Sequence, residues 1–186
     1  MGKLIYSAIC SLDGYIEDGD GSFQFAAPSE EVHQFFNDRF RDLGTQIYGR
    51  GLYETMAVWE AMGTGADDPD VIRDFGEIWR GVDKLVFSRT LETVTTERTR
   101  LEREFDVQLV QGLKDASDAD LVIGGPGIAA SAFAAGLVDV VELAYVPVSV
   151  GGGKPALPAG LRLDLKLLEE QRFDNDFVHL SYEIVG

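Results

Sequence analysis

From Lys3 to Cys10 the apolar residues are nearly continuous (Leu4, Ile5, Tyr6, Ala8, Ile9), the pattern of a strand buried on both faces. A long irregular stretch, Ser11 to Pro28, follows and holds Gly14, Gly19, Gly21 and several Asp. Loops of that length in a small domain usually carry function. Val32, Phe35, Phe36, Phe40 and Leu43 then recur at helical spacing behind Ser29, an N-capping residue. The spacing predicts a helix over 29–43. Thr45 to Tyr48 reads as a strand, Leu52 to Met62 as a helix, Asp70 to Arg80 as a helix, and Lys84 to Ser88 as a strand. The Thr-rich segment 93–100 is expected to be extended and 102–114 helical. Asp120 to Ile123 is a strand ending in Gly124-Gly125-Pro126-Gly127, 128–135 a small-residue helix, and Val138 to Val148 a long apolar strand. Leu161 to Phe173 and Phe177 to Val185 alternate as two strands about a turn at Asp174-Asn175-Asp176.

Repeated strand–helix units followed by strands alone predict an α/β fold. The central sheet would be mostly parallel, flanked by helices, with a C-terminal antiparallel hairpin at one edge. At 186 residues the chain suits a single domain, 1–186, and no linker, repeat or low-complexity segment divides it.

Charge narrows the functions available. There are 32 acidic against 16 basic residues, a net charge of -16, so the far field repels nucleic acid and anionic membranes. No nucleic-acid or membrane partner is expected. Any anionic cofactor must be held by a few local Arg or Lys and by backbone N–H groups, which makes each Arg informative. The one cysteine, Cys10, lies in an apolar run and excludes a disulfide framework or thiolate metal cluster. A buried, inert thiol is the expectation, with no metal site. The N-terminus lacks signal-peptide shape and no apolar run is long enough to span a bilayer, so a cytoplasmic location is expected.

Two glycine-rich turns, Gly49-Arg50-Gly51 and Gly124-Gly125-Pro126-Gly127, each lead from a strand into a helix. In a parallel sheet both fall at the carboxyl edge, where ligands of open α/β folds bind. There glycine lets a phosphate approach the backbone, although glycine at a strand end also serves simply to make a tight turn. Ser88-Arg89-Thr90 follows another strand and offers a hydroxyl, a guanidinium and a second hydroxyl, suited to a phosphate monoester or equally to a solvated turn. The GxGxxG and GxxxxGK[ST] patterns are absent.

Ser11-Leu12-Asp13-Gly14-Tyr15-Ile16, Tyr48-Gly49-Arg50-Gly51-Leu52-Tyr53-Glu54-Thr55-Met56 with Trp59, and Lys84 to Leu91 with its Ser88-Arg89-Thr90 core occur in that order along the chain. They are followed by Leu121 to Gly125, Gly136 to Asp139, Pro147-Val148, Gly151 and Gly153. This series resembles the dihydrofolate-reductase-like proteins, and within them the C-terminal reductase domain of the riboflavin-biosynthesis enzyme. The resemblance implies a dihydrofolate-reductase-like fold, NADPH as cofactor and a homodimer acting on a small-molecule substrate. It implies that Gly49 and Arg50 hold cofactor phosphates and that Ser88, Arg89 and Thr90 take the adenosine 2′-phosphate. Gly124, Gly125, Gly127 and Ile128 would hold the pyrophosphate, and Ala8 and Ile16 would flank the nicotinamide. Leu52 stands where the family usually has Thr, and Pro126 where Gly is common, so a hydroxyl and an N–H donor are missing.

The implied activity is NADPH-dependent reduction of a pteridine- or pyrimidine-like compound, as in the 5-amino-6-(5-phosphoribosylamino)uracil reductase step. Dihydrofolate reduction proper and a non-catalytic NADPH-binding dimer are the alternatives. The zinc-deaminase signature of the bifunctional enzyme is absent, and no Lys or Arg precedes Arg39 in the loop and helix expected to line the substrate pocket. The proton donor is sought among Glu30 and Glu31 on the first helix and Asp13 in the loop. The glutamates could instead be dipole-favoured surface residues, and Asp13 part of an Asx turn. His33 and His179 have no ligand partner at i+3 or i+4 and read as structural, and Trp59 and Trp79 read as core or cleft-wall residues.

Overall fold

The first apolar run forms the centre of the sheet. In the computed structural model, which describes residues 1–185, β1 spans Leu4–Ser11. Next come β2 (Tyr15–Glu17), a 3-10 turn (Gln24–Ala26), α1 (Glu30–Arg41), β3 (Thr45–Gly49), α2 (Arg50–Met56) and a second 3-10 turn (Ala57–Glu60). The middle holds α3 (Asp70–Gly81), β4 (Asp83–Phe87), β5 (Thr99–Glu102) and α4 (Val107–Ala116). The remainder is β6 (Leu121–Gly124), α5 (Pro126–Ala134), β7 (Val140–Val146), β8 (Lys154–Pro155), β9 (Leu165–Arg172) and β10 (Val178–Ile184).

Eight strands form one sheet in the order β5-β4-β3-β6-β1-β7-β10-β9. All pair in parallel except β10, which runs antiparallel to both β7 and β9. The α/β architecture, the mostly parallel sheet and the C-terminal hairpin are therefore as the sequence pattern predicts. Helix α1 starts where Ser29 Oγ accepts the Val32 N–H.

Two helices and the strand read from Leu161, which starts at Leu165, differ from the sequence reading, and the irregular stretch after β1 holds a short strand. The helix expected from Glu102 begins at Val107, because 99–102 adds a strand to β4 and Asp106 caps α4 through the N–H groups of Gln108 and Leu109. The helix expected over 52–62 starts at Arg50 and tightens to 3-10 geometry after Met56. The long loop after β1 is pinned: β2 pairs with β8, and a Cβ at Gly153 (φ +138) would lie 2.0 Å from the Glu17 carbonyl oxygen.

Register decides which side chains share a face of the sheet. Leu4, Tyr6, Cys10, Ile47, Leu85, Leu121, Ile123 and Leu143 pack with α4 and α5 through Val110, Ala129, Ala132 and Phe133. The opposite face meets α1 and α3. There Ser7 pairs with Glu142, Glu142 with Ser181, and Gln46 with Lys84 and Val122, so a row of polar side chains lies under those helices.

Candidate active site

Parallel strands put the ends of β3, β4 and β6 at one edge. At the end of β3, Arg50 donates from Nε to Glu54 (2.7 Å) and from a terminal nitrogen to Thr90 Oγ1 (3.0 Å), tying the 49–51 turn to the 88–90 turn. Ser88 is buried, and its Oγ accepts the N–H groups of Thr90 and Leu91 (3.3 and 3.0 Å). Arg89 is exposed and has no hydrogen-bond or ion-pair partner among the described residues. Arg103, which the sequence reading missed, braces the same turn through the carbonyls of Leu91 (2.5 Å) and Glu92 (3.3 Å). A cleft of about 290 Å³ lies between these two arginines and Ile128 and Ser131 of α5.

At the end of β6, Gly125 takes φ +88 and leads into α5, which opens with Pro126. Helix geometry leaves the N–H groups of Gly127 and Ile128 without intrahelical acceptors. Ile128 packs 3.4 Å from where a Gly49 Cβ would stand, so the two glycine turns are neighbours. A Cβ on Gly124 would meet the Leu52 side chain at 2.4 Å, so the Leu52 methyl groups lie directly against this turn. Gly49, Arg50, Ser88, Arg89, Thr90, Gly124, Gly125, Gly127 and Ile128 therefore come together along one edge. Cationic side chains and free N–H groups there match the chemistry of a phosphate-bearing dinucleotide. Ala8 and Ile16 both pack on the α4/α5-side core, and only Ala8 reaches the adjoining pocket.

That pocket, about 290 Å³ and mainly apolar, is bounded by β1, β3 and β6 below and by α1, α2 and α3 above. Its walls include Ala8, Ile9, Phe36, Leu52, Trp59 and Phe75. Its polar groups are Ser7, His33, Gln46 and Tyr48, and no Lys or Arg lines it. Trp79 Nε1, a pure donor, gives its hydrogen to the Tyr48 hydroxyl (3.2 Å), which in turn donates to Gln46 Oε1. The chain ends at Gln46 Nε2, a buried donor with no partner. Burial drives the Tyr48 phenol well above its ordinary range, so it stays neutral.

The three carboxylates sought as proton donors lie elsewhere. Glu31 accepts the Asp174 N–H (3.0 Å), and with Glu30 it borders a shallow groove against β9, outside the apolar pocket. On α1 the pocket side is the His33–Phe36 side, and residue 31 faces away from it. Asp13 is exposed and accepts the N–H groups of Val150 (3.1 Å) and Gly151 (2.7 Å). Hydrogen bonds from Ser11 foremost, then from Gly151 and Val150, hold its carboxyl far below the usual carboxylate range. Asp13 fastens the loop to the Gly151–Gly153 segment and stays ionised. Cys10 is buried and its thiol is pushed up to about 12 by that burial, the inert thiol expected. His33, read as structural from its place beside the apolar stripe, is half-buried and lines the pocket together with Phe36, while Val32 and Asn37 occupy the fully buried positions of α1.

The model of the RibD C-terminal domain family matches residues 2–179. The Bacillus subtilis protein YyaP, itself uncharacterized, is 25% identical over 186 residues, 99% of this chain and 96% of its own length. Among solved structures, a riboflavin-biosynthesis-protein candidate from Shewanella sp. PV-4 superposes with a TM-score of 0.76 at 18% identity, covering 99% of both chains. Enterococcus faecalis dihydrofolate reductase, solved with NADP(H), superposes at 0.64 with 14% identity over 100% of this chain and 98% of its own. At these identities the superpositions speak for the fold, which is dihydrofolate-reductase-like. No helix among the described residues is long and apolar enough to cross a membrane.

Proposed function

This chain belongs to the RibD C-terminal domain family, and on that premise we propose that it is an NADPH-dependent reductase of a small, flat pteridine- or pyrimidine-like compound. The observation that carries the reading is the contact of two unlike sites. An edge of glycines and arginines meets an apolar pocket, and Leu52 and Gly124 form the wall between them. A dinucleotide laid along the edge would reach the pocket with its nicotinamide end.

Each residue group has a task in that reading. Arg89, unpaired and exposed, meets the 2′-phosphate, with Arg103, Ser88 and Thr90 shaping the turn around it. Arg50 and the N-terminus of α5, at Gly127 and Ile128, hold the bridging phosphates, and the bare backbone of Gly124 and Gly125 lets them close in. Reduced nicotinamide, when bound, supplies a hydride. The protein positions a flat ring in the pocket, excludes water with Phe36, Trp59 and Phe75, and offers the Gln46 N–H to an acceptor on the ring.

The pocket also weighs the alternatives. No cation lines it, and Arg39 is engaged by Glu142 and, at 2.9 Å, by Glu169. A ribose-phosphate substrate would leave its phosphate unpaired there, which favours an unphosphorylated ring over the riboflavin-pathway intermediate. Dihydrofolate reduction proper would need an α1 carboxylate in the pocket, and both candidates turn away from it. The homodimer belongs to the same proposal. All eight residues of the edge strand β9 are exposed, Leu165, Leu167 and Leu168 among them, and light scattering on a sizing column should read twice the 20.4 kDa chain mass.

The test of function is nucleotide binding followed by quenching of Trp59 fluorescence. NADPH should bind more tightly than NADH, and Arg89→Ala should abolish that discrimination while leaving NADH affinity in place. A screen of pterins and pyrimidines for NADPH oxidation comes next. Equal, weak binding of both nucleotides would overturn the cofactor assignment.

A further inference from the structure

We infer that His33 is the proton donor of the apolar pocket, with its ring fixed so that Nδ1 carries hydrogen and Nε2 is offered to the bound ring. The inference rests on the reductase reading and adds to it the one group that reading lacks.

The tautomer follows from a chain of hydrogen bonds whose direction admits one solution. Asn37 is fully buried, and its Nδ2 lies 2.9 Å from the Val71 carbonyl and 2.8 Å from Asp74 Oδ2. A carbonyl accepts only, and so does an ionised carboxylate. Burial raises the Asp74 carboxyl, but hydrogen bonds from Asn37 and Arg41 outweigh it and hold the group below its ordinary value. Both N–H groups of Asn37 are thus spent, and the amide cannot be turned over. Its Oδ1 is the atom 2.9 Å from His33 Nδ1. An amide oxygen accepts, so Nδ1 must be the protonated nitrogen. Nε2 then holds a lone pair in the neutral ring and a transferable proton in the charged one.

The ring itself cannot turn freely. It packs edge-on against Trp59 (5.8 Å between centroids) and Phe75 (5.4 Å), both pocket walls. The charged groups near it are Asp74 and Arg41, behind Asn37, and Glu60 on the 3-10 turn that carries Trp59. The sheet beneath offers only uncharged side chains to the pocket, among them Ser7, Gln46 and Val122. Among the described pocket walls the other titratable group is Tyr48, whose hydroxyl hydrogen is committed to Gln46. Asp74, at the far end of the relay, fixes Asn37 and through it the orientation of the His33 ring.

The step balances simply. Reduced nicotinamide, when bound, would supply a hydride to the carbon of a ring C=N. The π pair of that bond passes to nitrogen, which takes the proton from Nε2. The old N–H pair stays on His33 as a lone pair, and water reprotonates it afterwards.

The experiment is a long-range ¹H–¹⁵N correlation spectrum of the ¹⁵N-labelled protein, followed by kinetics. The chain has two histidines, so His33→Gln assigns the ring signals by loss. The expected result is the Nδ1–H form for neutral His33; an Nε2–H form overturns the proposal without any substrate. With an acceptor found by the pterin and pyrimidine screen, kcat/KM should fall on the basic side of its pH profile, because the step consumes a proton held by the enzyme. His33→Gln should lose that limb and about 10²- to 10⁴-fold in rate, with NADPH affinity and the thermal melt retained. Turnover and pH profile unchanged in His33→Gln overturn the role of His33 alone. NADPH oxidation absent with every acceptor overturns the reductase reading, and the role with it, whatever the tautomer.

Discussion

The two faces of one sheet have been given different work. Toward α4 and α5, β1, β3, β4, β6 and β7 present Leu4, Cys10, Ile47, Leu85, Leu121, Ile123 and Leu143, all buried, and the one phenol among them, on Tyr6, bonds the Ala156 carbonyl. Toward α1 and α3, the same strands present Ser7, Gln46, Lys84 and Glu142, and β10 adds His179 and Ser181. Buried atoms without partners follow the same division. Gln46 Nε2, Glu60 Oε2 on the 3-10 turn packed against α3, and the ring nitrogens of His179, whose Nε2 stands 3.8 Å from Glu142 Oε2 and so beyond hydrogen-bond length, are on the α1/α3 side. Unpaired buried polar atoms cost stability, and they persist where something besides stability is selected. The difference teaches where to look: the apolar face holds the fold, and the polar face carries the pocket.

Truncation on the apolar face should be the most damaging change. Leu121 is fully buried between β1 and β3, so Leu121→Ala should cost about 2–5 kcal/mol in urea unfolding, from lost transfer energy and the cavity left behind. On the polar face, Lys84 spans from β4 to the end of α3, with Nζ donating to the carbonyls of Trp79 (2.8 Å) and Val82 (2.9 Å). Lys84→Met keeps the bulk and strands two buried acceptors, a loss of about 1–3 kcal/mol. If Lys84→Met proved the worse of the two, the division of labour would be wrong.

Glu142 sharpens the contrast through pH. Burial pushes its carboxyl up, but His179 and Arg39 outweigh that and hold it below its ordinary 4.5. A carboxylate depressed on folding binds fewer protons in the native state, so it stabilises fully above its unfolded value. That stability fades as pH falls below 4.5 and through the folded value. Glu142→Gln should therefore lose about 1–2 kcal/mol at neutral pH and show a flatter acid limb below 4.5. The loss is held down because Arg39 still reaches Glu169 and solvent.

The same division explains how much is legible in the sequence. The apolar face is written in single strands, as the unbroken run at Leu4–Ile9 and the Val138–Val148 stretch, and the sheet is visible from them. The phosphate edge is equally local: Gly49-Arg50, Ser88-Arg89-Thr90 and Gly124-Gly125 each come after a strand, and parallel pairing alone brings them together. The polar face is not local. His33 becomes a pocket residue only when α3 brings Phe75 and Asp74 against α1 and Asn37 fixes its ring. Gln46 reads as the second residue of a short strand, and its meaning depends on Tyr48 and Trp79, the latter 33 residues away in sequence. Arg103 reads as part of a helix and so loses its link to Arg89. A signal exists for Asn37: a polar amide four residues after His33, on the buried side of an amphipathic helix, asks for partners.

The smallest stability change should come from the residue with the clearest functional task. In Gln46→Leu the unpaired Nε2 disappears, which favours the folded state, and the Tyr48 hydroxyl loses its acceptor, which opposes it. Tyr48 still accepts from Trp79, so it is left half-satisfied rather than stranded. These effects are of similar size, about 1–3 kcal/mol each for a neutral buried group, and the net should stay within about 1 kcal/mol of the parent in urea unfolding. Ligand affinity should not be spared. A ring carbonyl that meets Gln46 Nε2 would face a methyl group in the variant, and losing that hydrogen bond in an apolar pocket should weaken binding about tenfold. Calorimetry on whichever pterin or pyrimidine the screen identifies reads that change. A variant that melted like its parent and bound like it would move the recognition edge to Ser7 and His33; one that was destabilised by several kcal/mol would make Gln46 a structural residue of the sheet.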